Sequence, residues 1–135
     1  MLQTHEIEST YLGAARRITV WSPSRQPGAG GRPYPVLYLN DGQNLFDPAR
    51  AFAGRTWRVA ETAARLVRGG RIRPLIIVGI DHGDARRARE YLPVEDDRNS
   101  DARNPLGREY AEFLTREVVP LIQRAYPAAR GASNT

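Results

Sequence analysis

Four groups of residues carry most of the chemistry this chain can offer. The first is Asn40-Asp41-Gly42-Gln43, directly after the apolar run Val36-Leu37-Tyr38-Leu39. Asn, Asp and Gly tolerate positive φ or bond their own backbone, so they mark a sharp turn. In open α/β sheets ligands bind at the carboxyl ends of the strands. A polar turn at that place is therefore candidate active-site backbone, and equally an ordinary connection. Asp41 admits two roles, capping the turn or meeting a substrate hydroxyl. The second group, Asp81-His82-Gly83-Asp84, comes after another apolar run. A metal centre needs three or four convergent ligands, and one histidine in a loop does not supply them, so we assign no metal. The third group is Arg89-Glu90, which either contacts a substrate or pairs locally to hold its loop. The fourth is Ser133, in Gly131-Ala132-Ser133-Asn134-Thr135. This is one glycine short of the G-x-S-x-G turn that exposes a nucleophilic serine between a buried strand and a helix. No apolar run precedes it, so Ser133 reads as linker.

The elements that must position these groups are set by hydrophobic period. Residues 5–9 and 16–21 alternate polar and apolar, the period of half-buried antiparallel strands, with Ile18 and Val20 inward and the turn near Leu12-Gly13. Residues 22–33 are loop by composition. Residues 36–39 and 74–80 are continuous apolar runs, each expected as a strand buried on both faces. Between them, Trp57, Ala60, Ala63, Ala64 and Val67 recur at helical spacing, ended by Gly69-Gly70. Trp57 at the start of that helix either packs inward or lines a pocket. Strand, helix, strand over 34–80 makes a βαβ unit with parallel strands. Residues 81–104 read as a long loop, and 105–126 as a helix with Leu106, Tyr110, Phe113, Leu114, Val118, Leu121, Ile122 and Ala125 on one face. Pro120 should kink it near Arg116, whose carbonyl its ring crowds. Residues 127–135 carry no period and read as tail.

Composition narrows the function classes. The length suits one domain. All twenty basic residues are arginine and the net charge is +5, but they are spread along the whole sequence. Nucleic-acid binding concentrates charge on one face, so we expect no nucleic-acid partner and read the arginine excess as a bias of the source genome. No apolar window approaches a membrane span, and the first ten residues lack the features of a secretory signal. We expect no membrane partner and a cytoplasmic location. No G-x-G-x-x-G follows a strand, and no cofactor is expected.

Taken together, YPVLYLNDGQNLFD, Trp57 opening a helix, IIVGID, the R-x-x-EY-x-P pattern at 87–93 and EYAEFLTREVVPLI resemble the putative-esterase family of α/β-hydrolases. That family includes esterase D-like enzymes, enterochelin esterases, feruloyl esterases and mycolyltransferases. The resemblance covers about residues 5–126. It implies an α/β fold: the N-terminal half of a hydrolase sheet, with two antiparallel strands, then parallel strands with crossover helices, truncated before the nucleophile elbow. It implies serine-type hydrolysis of a small-molecule ester. It also implies that the turn after the third strand gives a backbone N–H to the oxyanion hole, at Gln43 or alternatively Gly42. Asp41, Trp57, Arg89 and Glu90 stand as substrate-binding candidates on their own chemistry. The nucleophile, histidine and acid would lie later than this sequence reaches, so the chain by itself is expected to be inactive. In the family's strand order the third strand lies between the fourth and the fifth. Without a fifth, strand 36–39 is an unpaired edge, and oligomers or aggregates through it are expected. The alternatives are a non-catalytic arginine-rich module for anionic partners, or a truncated fragment without function.

Overall fold

The computed structural model describes residues 1–98 and 100–131. Strands β1 (Leu2–Ser9) and β2 (Ala14–Trp21) form an antiparallel hairpin, closed by Gly13 at φ +62°. β3 (Val36–Asn40) and β4 (Ile76–Ile80) run parallel, in register from Val36 opposite Ile76 to Asn40 opposite Ile80. The sheet order is β1-β2-β4-β3. Helix α1 (Val59–Arg68) joins the two parallel strands, as a crossover must.

β4 is the centre of the sheet, and every residue of it is buried. Its Ile76, Val78 and Ile80 share one face. They meet Ile18 and Val20 of β2 and the side chains Tyr110, Phe113, Val118 and Ile122 in the main core. Those four come from α3 (Gly107–Phe113), a π turn (Leu114–Val118) and α4 (Val119–Ala125), which run on without a break. The kink expected near Arg116 takes the form of this π turn. Pro120 has no N–H to donate and its ring crowds the carbonyl one turn back, and a widened turn relieves both. The bulge also rotates α4 about the helix axis, so Ala125, expected on the apolar face, is exposed.

β3 is the edge strand, as the resemblance implied for a sheet without a fifth strand, and not buried on both faces as the apolar run alone suggested: Leu37 is 42% exposed. Pro35 C=O accepts from Ile76 N–H, so alternate residues 35, 37 and 39 bond β4. The backbone groups of residues 34, 36, 38 and 40 therefore point away from β4. At Tyr34 that outward side is already paired, in a parallel bridge to Ala128: Tyr34 N–H donates to Pro127 O and Ala129 N–H to Tyr34 O, both at 2.8 Å. So the first residues of the expected tail begin a parallel partner for β3.

The stretch 81–104 is not a plain loop. It holds a 3-10 turn (Asp84–Arg86), the short helix α2 (Arg87–Tyr91) and a second 3-10 turn (Ser100–Ala102). A buried ion pair ties it to the sheet. Arg16 of β2 forks onto Glu90 of α2 with two 2.8 Å bonds, at 4% and 0% exposure, and Arg16 also donates to Asp81 O at 3.3 Å. Gly83 passes over this pair so closely that a Cβ there would lie 2.8 Å from both side chains. No helix among the described residues is long and apolar enough to cross a membrane.

Candidate active site at the carboxyl ends of β3 and β4

Because β3 and β4 are parallel neighbours in register, their carboxyl ends emerge side by side. Asn40 ends β3, and its Oδ1 accepts from Tyr110 Oη–H at 2.7 Å. Asp41 then turns the chain in the left-handed region, at φ 55° and ψ 44°. For a residue other than glycine that conformation costs of order 1 kcal/mol and persists where the surroundings enforce it. A 3-10 turn (Gly42–Asn44) comes next. Its first internal bond is Asn44 N–H to Asp41 O, 2.9 Å. The N–H groups of Gly42 and Gln43 precede that bond, so neither has a partner inside the turn.

The two glycines at this corner explain how closely it packs. A Cβ on Gly42 would lie 2.5 Å from Gly79 C and 2.6 Å from Ile80 N. One on Gly79 would lie 2.7 Å from Leu45 Cδ1. Gly42 is needed for contact with β4, rather than for approach to a ligand, and it is buried. Gln43 is half-buried and lines the open space.

That space is a cleft of about 700 Å³ bordered by Asp41, Gln43, Phe52, Trp57, His82 and Arg87. A smaller one of about 420 Å³ adjoins it, with Arg50, Asp81 and Asp84 on its far side. Asn44 organises the wall: its Oδ1 accepts from Phe52 N–H and its carbonyl from Trp57 N–H, each at 2.8 Å. Phe52 is 85% exposed and Trp57 55%. Trp57 does not open the helix as expected; α1 starts at Val59, after Arg58 at φ 53°, a left-handed step that takes Trp57 off the helical path.

Asp41 does not cap its turn by a side-chain bond. Its carboxylate is gripped by the Arg87 fork, Nε to Oδ1 at 2.8 Å and Nη2 to Oδ2 at 2.7 Å. Those bonds are the main reason its carboxyl titrates below the ordinary carboxylate range; burial opposes them, and the charges of Arg87 and His82 add to them. On the β4 side, His82 N–H donates to Gln43 Oε1 at 3.3 Å, tying the two strand ends together. His82 Nδ1 accepts from Asp84 N–H at 2.9 Å, which places the neutral ring's proton on Nε2. Asp81 pairs with Arg50 through Oδ2, while its buried Oδ1 has no bond. Among the described residues no group of three or more His, Cys, Asp or Glu is arranged to hold a metal ion.

Arg89 and Glu90 lie apart from the cleft. Glu90 is fully buried with both oxygens on Arg16, so no ligand reaches it. Arg89 donates from Nε to Asn104 O at 2.9 Å and braces the loop. The geometry therefore gives Glu90 the bracing role and not the substrate contact. Ser133 lies outside the described residues. Sequence reasoning missed Arg87 as a site residue, although it stands in the R-x-x-EY-x-P pattern, because nothing local says that its fork meets Asp41 across 46 residues. It also missed Phe52, whose exposure no period announces.

The family model described as Putative esterase matches residues 9–134. The chain belongs to that family. No curated protein matches. Among solved structures, a ferulic acid esterase is 25% identical with a TM-score of 0.67, over 99% of this chain and 48% of its own. An IroE-like serine hydrolase from Shewanella oneidensis is 24% identical, TM-score 0.71, over 95% and 40%. The ferric enterobactin esterase (Fes) of Salmonella typhimurium is 19% identical, TM-score 0.69, over 100% and 28%. The esterase fold is thus shared along almost all of this chain, which spans less than half the length of each of these structures.

Proposed function

We propose that this chain forms the N-terminal half of a serine-type carboxylic ester hydrolase and supplies one side of its oxyanion hole. The observation that carries this reading is the Asp41–Gln43 bend, a backbone N–H without a partner in its own turn, held at the floor of a cleft where two parallel strands end. A preorganised donor there stabilises the negative oxygen of a tetrahedral intermediate. Gln43 is the donor in this reading, since Gly42 is buried against β4. Asp41 shapes the bend. Phe52 and Trp57 flank the acyl group; two large aromatic rings left exposed at a cleft rim suit a flat substrate, and ferulic acid, the aromatic acid in one neighbour's name, is of that kind.

The attacking serine and its histidine and acid are assigned to residues outside this chain, because no G-x-S-x-G occurs within it. The bridge from Tyr34 to Ala128 supports the same reading, since a strand continuing from it would pair along the open side of β3. Left unpaired, Val36–Asn40 is expected to recruit other copies, giving oligomers or poor solubility.

The test is a chimera in which this chain replaces the matching part of the ferulic acid esterase. It should hydrolyse p-nitrophenyl acetate, and Gln43→Pro, which removes the N–H, should lower kcat by about 10²–10³. Gln43→Ala, which keeps the N–H, should retain activity. Equal rates for the proline and alanine forms would overturn the role of Gln43. Serine-dependent turnover by the unfused chain would overturn its proposed incompleteness.

A further inference from the structure

Residues 40 and 41, the two that precede the amides of Gly42 and Gln43, are each held by a side chain from another element. Asn40 is held by Tyr110 of α3, and Asp41 by Arg87 of α2. The two supports are themselves joined. Arg87 lies over the Tyr91 ring, 5.1 Å from guanidinium to centroid, and Tyr91 meets Tyr110 edge-on at 5.2 Å. Behind them, Glu90 locks α2 to β2 through Arg16. A left-handed Asp41 that makes no capping bond in its own turn needs an outside constraint, and the Arg87 fork is the one that grips it.

We propose that Arg87 is a positioning residue: by forking onto Asp41 it fixes the left-handed step and so aims the Gln43 N–H into the cleft. This deepens the esterase reading and rests on it. A fork grips both carboxylate oxygens in one plane, so it fixes the rotation of Asp41 as well as its place; a point charge would fix only the place. The groups that face Asp41 are Arg87 and Tyr91 from α2, His82 from the segment after β4 and Gln43 from its own turn. Of these Arg87 makes the two direct bonds.

Amide NMR of the same chimera, in which the open side of β3 is covered, tests the proposal without any turnover. In Arg87→Gln the core signals should remain, while the Gln43 and Asn44 amide resonances move and exchange of the Asn44 N–H, bonded to Asp41 O, rises about tenfold. The Asp41 carboxyl should titrate at higher pH. Arg87→Lys, which keeps the charge and loses the fork, should restore the Asp41 titration only in part, since the fork bonds are the larger cause of the shift, and the Gln43 resonance in smaller part still. Asp41→Asn should displace the Gln43 resonance as Arg87→Gln does. An unmoved Gln43 resonance with a shifted Asp41 titration would overturn the proposal: the pair would be real but would position nothing. Loss of the whole spectrum in both Arg87→Gln and Asp41→Asn would also overturn it, by making the pair a support of the fold. Neither result bears on the proline and alanine rates of the chimera, so the two readings fail separately.

Discussion

The five-residue helix α2 sends out two arginine–carboxylate pairs, and they differ in almost everything but chemistry. Glu90 meets Arg16 where both side chains are at most 4% exposed. Arg87 meets Asp41 where the arginine is half exposed and the aspartate 14%. Both are bidentate. The buried pair has given up its water, so each charge depends on the other, and removing one strands the other in a poor solvent. The exposed pair keeps alternatives in water and contributes little to stability. The difference teaches a division of labour. The buried pair ties α2 to β2 of the sheet. The exposed pair then sets local geometry at the cleft at small energetic stake, which lets the site be tuned without unfolding the domain.

The sharpest break of this contrast is Glu90→Ala, which leaves the Arg16 guanidinium buried and unpaired. It should cost about 3–5 kcal/mol in urea unfolding. The double change Arg16→Met with Glu90→Leu should recover most of that, as an apolar pair of similar volume often does. Gly42→Ala comes next: its Cβ would press on the backbone of Gly79 and Ile80, with an expected loss of about 1–3 kcal/mol and displacement of the Gln43 amide. Arg87→Ala is smallest in stability, below about 1 kcal/mol. It is visible instead in the pH dependence. Asp41 is more acidic folded than unfolded, so its contribution is present above the ordinary carboxylate range and is lost as pH falls through the lowered folded value. In Arg87→Ala that loss should move to higher pH, read from melting temperature against pH. A profile identical to the parent's would place the pair on the same footing as an ordinary surface contact.

Much of the frame was legible before any coordinates. Ile18, Val20 and the 76–80 run lie where period and composition put them, because burial of apolar side chains is what periodicity encodes. The esterase family was legible too, from the order and spacing of its patterns. Two points that period and composition left open have a common cause. An apolar run reports that a strand has greasy residues, not how many neighbours it has, so by period alone β3 and β4 looked alike, and only the resemblance, with its missing fifth strand, marked β3 as the edge. Glu90 could have met a substrate or paired locally, and only the fold brings Arg16 from 74 residues away to decide between them.

By itself, then, the sequence determined the four strands, the two longer helical stretches and the sharp bend at Asp41-Gly42, but not the short helix α2 inside 81–104. Those are local properties, set by side-chain period and by the conformations that Asn, Asp and Gly permit. Tertiary structure alone decided which charges are buried, which carboxylate Arg87 grips, and that Gly42 belongs to Gly79. Each of these depends on a partner distant in the chain, and a buried charge or a missing Cβ acquires its meaning only from the groups packed against it.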